Sequence, residues 1–126
     1  MCGIAGYVGP WAPALVGAMT EAIAHRGPDG SGMWFDDGVA LGHRRLSIID
    51  LTDVAAQPMH TPDGRFAIIY NGEIYNYRDL RAELEQGGIV FRTGSDTEVL
   101  LHLYDRHGAS MVEKLRGMFS FAIFDR

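Results

Sequence analysis

The chain has 126 residues, of which 47% are hydrophobic and 21% charged, and its net charge is −5 with a pI near 5.4. This composition excludes a disordered chain, and the length allows one domain with a real core. Lysine and arginine are scattered, which argues against a partner such as nucleic acid or an anionic membrane. The single cysteine excludes an internal disulfide and predicts a cytoplasmic location.

Targeting and membrane segments are not predicted. The N-terminus lacks a basic region followed by an unbroken apolar run, as a secretory signal would have. The longest apolar stretch, residues 117–124, is far shorter than the roughly 20 residues that span a bilayer.

The first third of the chain predicts three strands and a helix. Residues 4–8 are short, apolar and bounded by glycine, which is typical of a buried strand. Apolar residues at helical spacing predict an amphipathic helix over 11–24. Glycine and proline make residues 25–32 unsuitable for a helix or a central strand. Strands over 33–35 and 39–46 flank a predicted hairpin turn.

The middle of the chain predicts a loop, a strand and a helix. Residues 52–65 form a long loop, which in a small domain is either mobile or functional. A buried strand over 66–70 follows. Asn76 is a favoured N-cap for a short helix, which Gly87 and Gly88 end.

The last third predicts a second helix and a final strand. Ser95 and Glu98 form a capping box, and Gly108 ends the helix that this box begins. Another short helix is predicted over 109–116, and residues 118–124 have the pattern of a central strand. Because the chain stops two residues later, we expect a fragment of a longer protein. The elements together predict a layered α+β domain with mostly antiparallel sheet.

Cys2 is the first candidate for chemistry. If Met1 is removed, one residue carries both a thiol and a free α-amine, and the amine can take the thiol proton directly or through water. A strand that begins at this nucleophile would hold it rigidly. The alternative is an ordinary buried thiol near a terminus.

Asn71 and Gly72 allow two interpretations. They tolerate positive φ and therefore predict a type I′ hairpin turn. The same turn would aim the Asn71 amide and the Gly72 backbone N–H at one point, as in an oxyanion hole. The two interpretations are compatible.

Arg44, Arg45 and Asp96 are candidate charges for an amino-acid ligand. Strand alternation puts the two arginines on opposite faces, so one of them faces inward and needs a carboxylate. Asp96 begins a helix, where the helix dipole alone would favour it, or it accepts a ligand ammonium. Arg45 and Asp96 together would then form a clamp for the α-carboxylate and α-ammonium of an amino acid.

Other templates do not match. The sequence has neither G-x-x-x-x-G-K-[ST] nor H-E-x-x-H, and no metal site is predicted because one cysteine cannot form a Cys/His zinc set. His25 and His43 are interpreted as structural.

The assembled blocks resemble the glutaminase half of glutamine-hydrolysing asparagine synthetases, which are class II glutamine amidotransferases of the N-terminal-nucleophile hydrolase fold. The resemblance covers essentially the whole chain. It depends on seven ordered blocks: MCGI at 1–4, HRGPDG at 25–30, RLSIID at 45–50, QPM at 57–59, YNGEIYN at 70–76, TGSDTE at 93–98 and GMFSFA at 117–122.

The resemblance implies a four-layer αββα sandwich, which we expect to be incomplete at its C-terminal end, and a set of site residues. Cys2 would be the nucleophile, with its own amine as the base, and Asn71 and Gly72 the oxyanion hole. Arg45 would bind the α-carboxylate of glutamine and Asp96 its α-ammonium. The remaining substrate contacts would come from Leu46, Ser47, Ile48, Ile49 and Glu73.

The same resemblance implies partners outside residues 1–126. No cofactor is expected in this domain; ATP and magnesium are expected only in a synthetase domain, whose Ser-Gly-Gly-x-Asp-Ser type loop is absent from this sequence. That domain would use the ammonia to make asparagine, and the parent enzyme is a candidate homodimer. Two alternatives are a related amidotransferase with a sugar or peptide acceptor, and a non-catalytic domain that retains the fold.

Overall fold

Two antiparallel sheets form the centre of the computed structural model, which describes residues 1–126. Sheet A contains β1, β3 and β2 in that order, and sheet B contains β4, β5 and β6. The strands are β1 Gly3–Val8, β2 Gly30–Asp36, β3 Val39–Arg45, β4 Met59–His60, β5 Phe66–Ile74 and β6 Gly117–Asp125. The α-helices are α1 Ala14–Ala22, α2 Tyr77–Gln86 and α3 Asp96–His107. Short 3₁₀ turns cover Ala24–Arg26, Asp53–Ala55 and Gly108–Lys114.

The layers follow from which face each strand buries. Gly42 of β3 faces α1, because a Cβ there would overlap the Thr20 hydroxyl and press on Val16. The neighbouring Leu41 points the other way and packs with Ala67 and Ile69 of sheet B. The α1 helix therefore covers the outer face of sheet A, and sheet A faces sheet B.

The main core lies between sheet B and the helices α2 and α3. It joins apolar residues from alternate positions of β5 with the inner faces of both helices, and with residues of β4 and of the segment between α3 and β6. The buried members are Met59, Phe66, Ile68, Tyr70, Ile74, Leu80, Leu84, Val99, Leu100, Leu101, Leu103, Met111 and Leu115. The predicted four-layer αββα arrangement is confirmed. No helix of the structure has both the length and the apolar character needed to cross a membrane.

Several element boundaries differ from the predictions. The first helix is shorter than predicted and begins at Ala14. Residues 30–32 belong to β2, which accommodates them because it is an edge strand of sheet A. Gly32 has a specific reason to be glycine, since a Cβ there would overlap the carbonyl oxygen of Gln57. The strand predicted over 118–124 exists as β6, but it is an edge strand that pairs with β5, not a central one.

The predicted helix caps are half right. Asn76 occupies the N-cap position of α2 without a capping hydrogen bond; its amide donates to Lys114 O at 2.9 Å instead. Ser95 caps α3 by accepting from Thr97 N at 3.1 Å. Glu98 does not complete the box, because its carboxylate binds the backbone ahead of Ser95.

Candidate active site

One pocket gathers almost all the predicted site residues at the end of the two sheets. Its walls come from the start of β1, the end of β3 and the segment after it, the C-terminal part of β5, and the start of α3. The predicted residues that line it are Cys2, Arg45, Leu46, Ser47, Ile48, Ile49, Gly72, Glu73 and Asp96. Among the residues to which the family resemblance assigned a role, only Asn71 does not line it.

Cys2 lies immediately before β1 and is half-buried. Its sulfur accepts a hydrogen bond from Leu46 N at 3.2 Å and lies 3.4 Å from Leu46 O, to which the thiol can donate. The Cys2 carbonyl accepts from Arg26 Nε at 3.1 Å. These contacts hold the sulfur against the segment after β3, inside the pocket. Met1 lines the same pocket, and in this unprocessed chain the Cys2 nitrogen is part of a peptide bond.

The predicted turn at Asn71 and Gly72 is wrong, because both residues lie inside β5. They pair with Ser120 and Phe119 of β6 without a break in the ladder. Gly72 has φ +153°, and a Cβ there would overlap Met118 O and lie 2.6 Å from Phe119 Cα. Long-range pairing with β6 therefore overrides the local turn preference of Asn-Gly.

Strand alternation also separates Asn71 and Gly72, so Gly72 reaches the pocket wall and the Asn71 side chain does not. The Asn71 Oδ1 atom is buried without a hydrogen-bond partner. Buried amide oxygens are normally paired, so this side chain is an exception within the domain.

The two arginines point in opposite directions, as alternation predicted. Arg44 Nη2 lies 3.2 Å from the Glu21 carboxylate of α1, whereas Arg45 lines the pocket. Arg45 donates from Nη2 to the carbonyl oxygen of Asp50. Its own carbonyl accepts from Asp29 N at 2.9 Å. The segment before β2 thus supports the end of β3 and fixes where the guanidinium starts.

Asp96 is the buried anion of the pocket, with 4% of its surface exposed. Its Oδ2 accepts from the Tyr70 hydroxyl at 2.7 Å and from Ile74 N at 3.3 Å. No arginine, lysine or histidine lies within ion-pair distance of it. Burial raises the pKa of its carboxyl above the ordinary value, and the hydrogen bonds from Tyr70 and Ile74 oppose that rise. The pocket therefore contains a buried carboxylate, Asp96, that forms no ion pair with Arg45 or with any other cation of the domain.

The loop before α3 holds Asp96 in place through Glu98. The buried Glu98 carboxylate accepts from Arg92 N at 2.9 Å and from Thr93 N and Thr93 Oγ1, both at 2.7 Å. Burial raises the pKa of Glu98, but these donors outweigh it and bring the pKa below its ordinary value. An ionised Glu98 thus organises the turn that presents Asp96.

Sequence reasoning assigned no role to Asp50, Gln57 or Tyr70, all of which line the pocket. Asp50 Oδ2 accepts from Gly94 N at 2.8 Å, which ties the segment after β3 to the loop before α3. Gln57 accepts from Tyr70 N at 2.6 Å and donates to Thr97 Oγ1 at 3.3 Å. The sequence signals were indirect: the three residues lie in the motif blocks 45–50, 57–59 and 70–76, and Gln57 also lies in the long loop over 52–65.

His43 is structural in the way the sequence predicted. It is buried, and its Nε2 lies 3.2 Å from Tyr70 O. Burial lowers the pKa of its imidazole to about 4. His43 is therefore neutral at neutral pH and donates from Nε2 to the backbone of β5.

A family model described as a glutamine amidotransferase domain matches residues 1–126. The chain belongs to this family. The amidotransferase domain is similar to asparagine synthetase [glutamine-hydrolyzing] 1 of Bacillus subtilis, with 49% identity over 112 residues. That match covers 89% of this chain and 18% of the relative. The corresponding enzyme of Zea mays is 40% identical over 130 residues, which cover 99% of this chain and 22% of the relative. The domain thus spans about a fifth of the length of these relatives.

A solved structure supports the fold. Glutamine phosphoribosylpyrophosphate amidotransferase of B. subtilis superposes with a TM-score of 0.83 at 23% identity, covering 99% of this amidotransferase domain and 35% of that chain. At this identity the likeness concerns the fold, which is that of the N-terminal-nucleophile hydrolases predicted from the sequence.

Proposed function

We propose that this domain hydrolyses the side-chain amide of glutamine, with Cys2 as the nucleophile. The observation that carries the proposal is the meeting of the Cys2 sulfur, the Arg45 guanidinium and the unpaired Asp96 carboxylate in one pocket. A free amino acid carries both an α-carboxylate and an α-ammonium, and these two charges complement Arg45 and Asp96. Arginine suits the carboxylate because its planar fork binds both oxygens at once.

The chemistry begins after removal of Met1. The freed α-amine takes the thiol proton, and the thiolate attacks the side-chain carbonyl carbon of glutamine. The oxyanion would be stabilised by the Gly72 backbone N–H and by the Asn71 amide after a change of its side-chain orientation. The absence of any hydrogen bond to Asn71 Oδ1 supports such a change, since no hydrogen bond at that atom has to be broken.

The second half of the reaction releases both products. The protonated α-amine gives a proton to the departing nitrogen, the C–N bond breaks, and ammonia leaves a γ-glutamyl thioester on Cys2. Water activated by the same amine then attacks the thioester, which yields glutamate and returns the thiol. The segment comprising Leu46, Ser47, Ile48 and Ile49, together with Glu73, would enclose the substrate, because these residues line the pocket beside Arg45.

For the parent protein we propose ATP-dependent synthesis of asparagine from aspartate, with this ammonia as the nitrogen source. The relatives named asparagine synthetase support this product, since they match nearly the whole domain. ATP and magnesium would bind in a synthetase domain outside residues 1–126, and no cofactor would bind in this one. A cytoplasmic location and a homodimeric parent are part of the same proposal.

Ammonia release tests the glutaminase step. The chain should release ammonia from glutamine once mass spectrometry shows that its N-terminus is Cys2, and Cys2→Ala should abolish that release. An alanine at this position also permits removal of Met1, so the variant keeps the free amine and changes only the thiol. Full hydrolysis by Cys2→Ala, or by a chain that retains Met1, would contradict the proposal.

A further inference from the structure

Tyr70 links the substrate pocket to the framework of the domain, although the glutaminase mechanism does not use it. It is 3% exposed and lines the pocket beside Asp96. Three hydrogen bonds fix it: its N–H donates to Gln57 Oε1 at 2.6 Å, its carbonyl accepts from His43 Nε2 at 3.2 Å, and its hydroxyl donates to Asp96 Oδ2 at 2.7 Å. The first two bonds fix the backbone of β5 at this position, and the third orients the phenol toward Asp96.

Asp96 needs such a partner for an electrostatic reason. A buried carboxylate loses hydration, which favours its neutral form unless donors replace the lost water. Neutral Asp96 could not attract an ammonium. Only hydrogen bonds from uncharged donors, Tyr70 and the backbone, compensate Asp96, because no cation pairs with it.

We propose that the Tyr70 hydroxyl is a positioning group that keeps the Asp96 carboxylate charged and aimed at the α-ammonium of the substrate. The proposal rests on the proposed function, since it assigns the ammonium to Asp96. A neutral donor suits this task better than a cation would. An arginine or lysine in the place of Tyr70 would neutralise Asp96 and compete with the ligand. A phenol stabilises the ionised carboxylate by a hydrogen bond and leaves its negative charge available to the ammonium.

The phenol itself remains protonated throughout. Burial and the charge of Asp96 raise the pKa of Tyr70 far above its ordinary value, so the hydroxyl is always a donor in this pair. The other ionisable side chains that line the pocket are Cys2 from the start of β1, Arg45 from β3, Asp50 from the segment after β3, and Glu73 from β5. Because Tyr70→Phe leaves all of them unchanged, a shift in the titration of Asp96 reports the hydroxyl.

The test compares Tyr70→Phe with Tyr104→Phe in a Cys2→Ala background, which removes the nucleophile so that glutamine binding can be measured without turnover. Tyr104 packs against Phe66 in the same core but does not line the pocket, so its variant controls for loss of a phenol. Carbon-13 NMR of the aspartate carboxyls gives the titration midpoint of Asp96 without any ligand. Calorimetry from pH 4.5 to 8 then gives the dissociation constant of glutamine.

Tyr70→Phe should raise the Asp96 midpoint by about one pKa unit, the order of effect of one hydrogen bond to a carboxylate. Glutamine binding should then weaken about tenfold at pH values below the new midpoint and recover above it. Tyr104→Phe should change neither quantity. Site-specific 3-fluorotyrosine at position 70, a more acidic donor, should move the midpoint in the opposite direction, which a role in packing alone would not cause.

The two readouts separate two kinds of failure. The role of Tyr70 would be overturned if the titration midpoint of Asp96 were the same in three chains: Tyr70→Phe, the fluorotyrosine chain, and the Cys2→Ala chain with an unaltered Tyr70. If the midpoint shifts as expected but none of the chains binds glutamine at any pH, the assignment of the ammonium to Asp96 is overturned, and with it the proposed function.

Discussion

Asp96→Asn distinguishes a ligand-binding carboxylate from one that only begins a helix. Asp79 is the matched control, because it also lies in the first turn of a helix but is exposed and outside the pocket. If both carboxylates serve only their helix dipoles, each substitution should cost about 0.3–1 kcal/mol of stability. If Asp96 binds an ammonium, Asp96→Asn should weaken glutamine binding without loss of stability, whereas Asp79→Asn should lower stability slightly and leave binding unchanged.

The expected change in stability follows from burial. Burial raises the pKa of Asp96 in the folded chain above its unfolded value, so the folded chain holds that proton more tightly. The contribution of Asp96 to the free energy of unfolding is therefore fully present at pH values below its pKa in the unfolded chain. It is lost as pH rises through its pKa in the folded chain. At neutral pH the charge is therefore a cost, and Asp96→Asn should leave the free energy of unfolding unchanged or raise it. Asp79→Asn should lower it slightly.

The expected change in binding is large. Removing one member of a buried, hydrogen-bonded charge pair costs about 2–5 kcal/mol, which corresponds to an increase of roughly 30-fold or more in the dissociation constant of glutamine. Calorimetric titration and urea unfolding of both variants at pH 7 measure the two effects. Asp96 would be excluded as the ligand of the ammonium if Asp96→Asn destabilised the domain without changing glutamine binding, or if Asp79→Asn weakened binding equally.

Three other substitutions test separate parts of the structure. Arg45→Ala should raise KM for glutamine about 10–100-fold with little change in kcat, since it removes charged hydrogen bonds made equally in the ground and transition states. Arg44→Ala, which removes only the pair with Glu21, should leave KM unchanged. Equal effects of the two substitutions on KM would exclude Arg45 from substrate binding. Gly72→Ala should lower the free energy of unfolding by about 2 kcal/mol more than Gly64→Ala, because both glycines have positive φ but only a Cβ at Gly72 would overlap β6. Equal melting temperatures of the two variants would contradict that overlap. The pKa of His43 is about 4 in the folded chain against 6.5 when unfolded, so its contribution to the free energy of unfolding is complete above pH 6.5 and falls by up to about 3 kcal/mol as pH drops to 4. His43→Gln should therefore reduce the dependence of the free energy of unfolding on pH, as measured by thermal unfolding. An unaltered dependence would mean that other groups cause it.

Local sequence predicted the parts of the site that depend on periodicity. The opposite directions of Arg44 and Arg45 followed from strand alternation alone. The placement of Cys2 at the start of a strand followed from the short apolar run behind it. The family resemblance then supplied the roles that neither pattern contains.

Features that depend on contacts between distant segments could not be predicted in this way. Asn71-Gly72 has strong local turn propensity, but β6, more than 40 residues later, holds it in a strand. Gln57 looked like an ordinary loop residue until the fold placed its amide between β5 and α3. Glu98 matched a capping box, yet its carboxylate accepts from the backbone N–H groups of Arg92 and Thr93 instead. In each case a tertiary partner absent from the local window decided the outcome.

Covalent trapping tests the proposed nucleophile most directly. The chain, with Cys2 as its N-terminal residue, is incubated with a glutamine analogue that carries an electrophilic diazoketone in place of the side-chain amide, and its peptides are mapped by mass spectrometry. We predict a single adduct on the Cys2 sulfur, slowed by excess glutamine. An unmodified Cys2, or labelling that glutamine does not slow, would contradict the assignment.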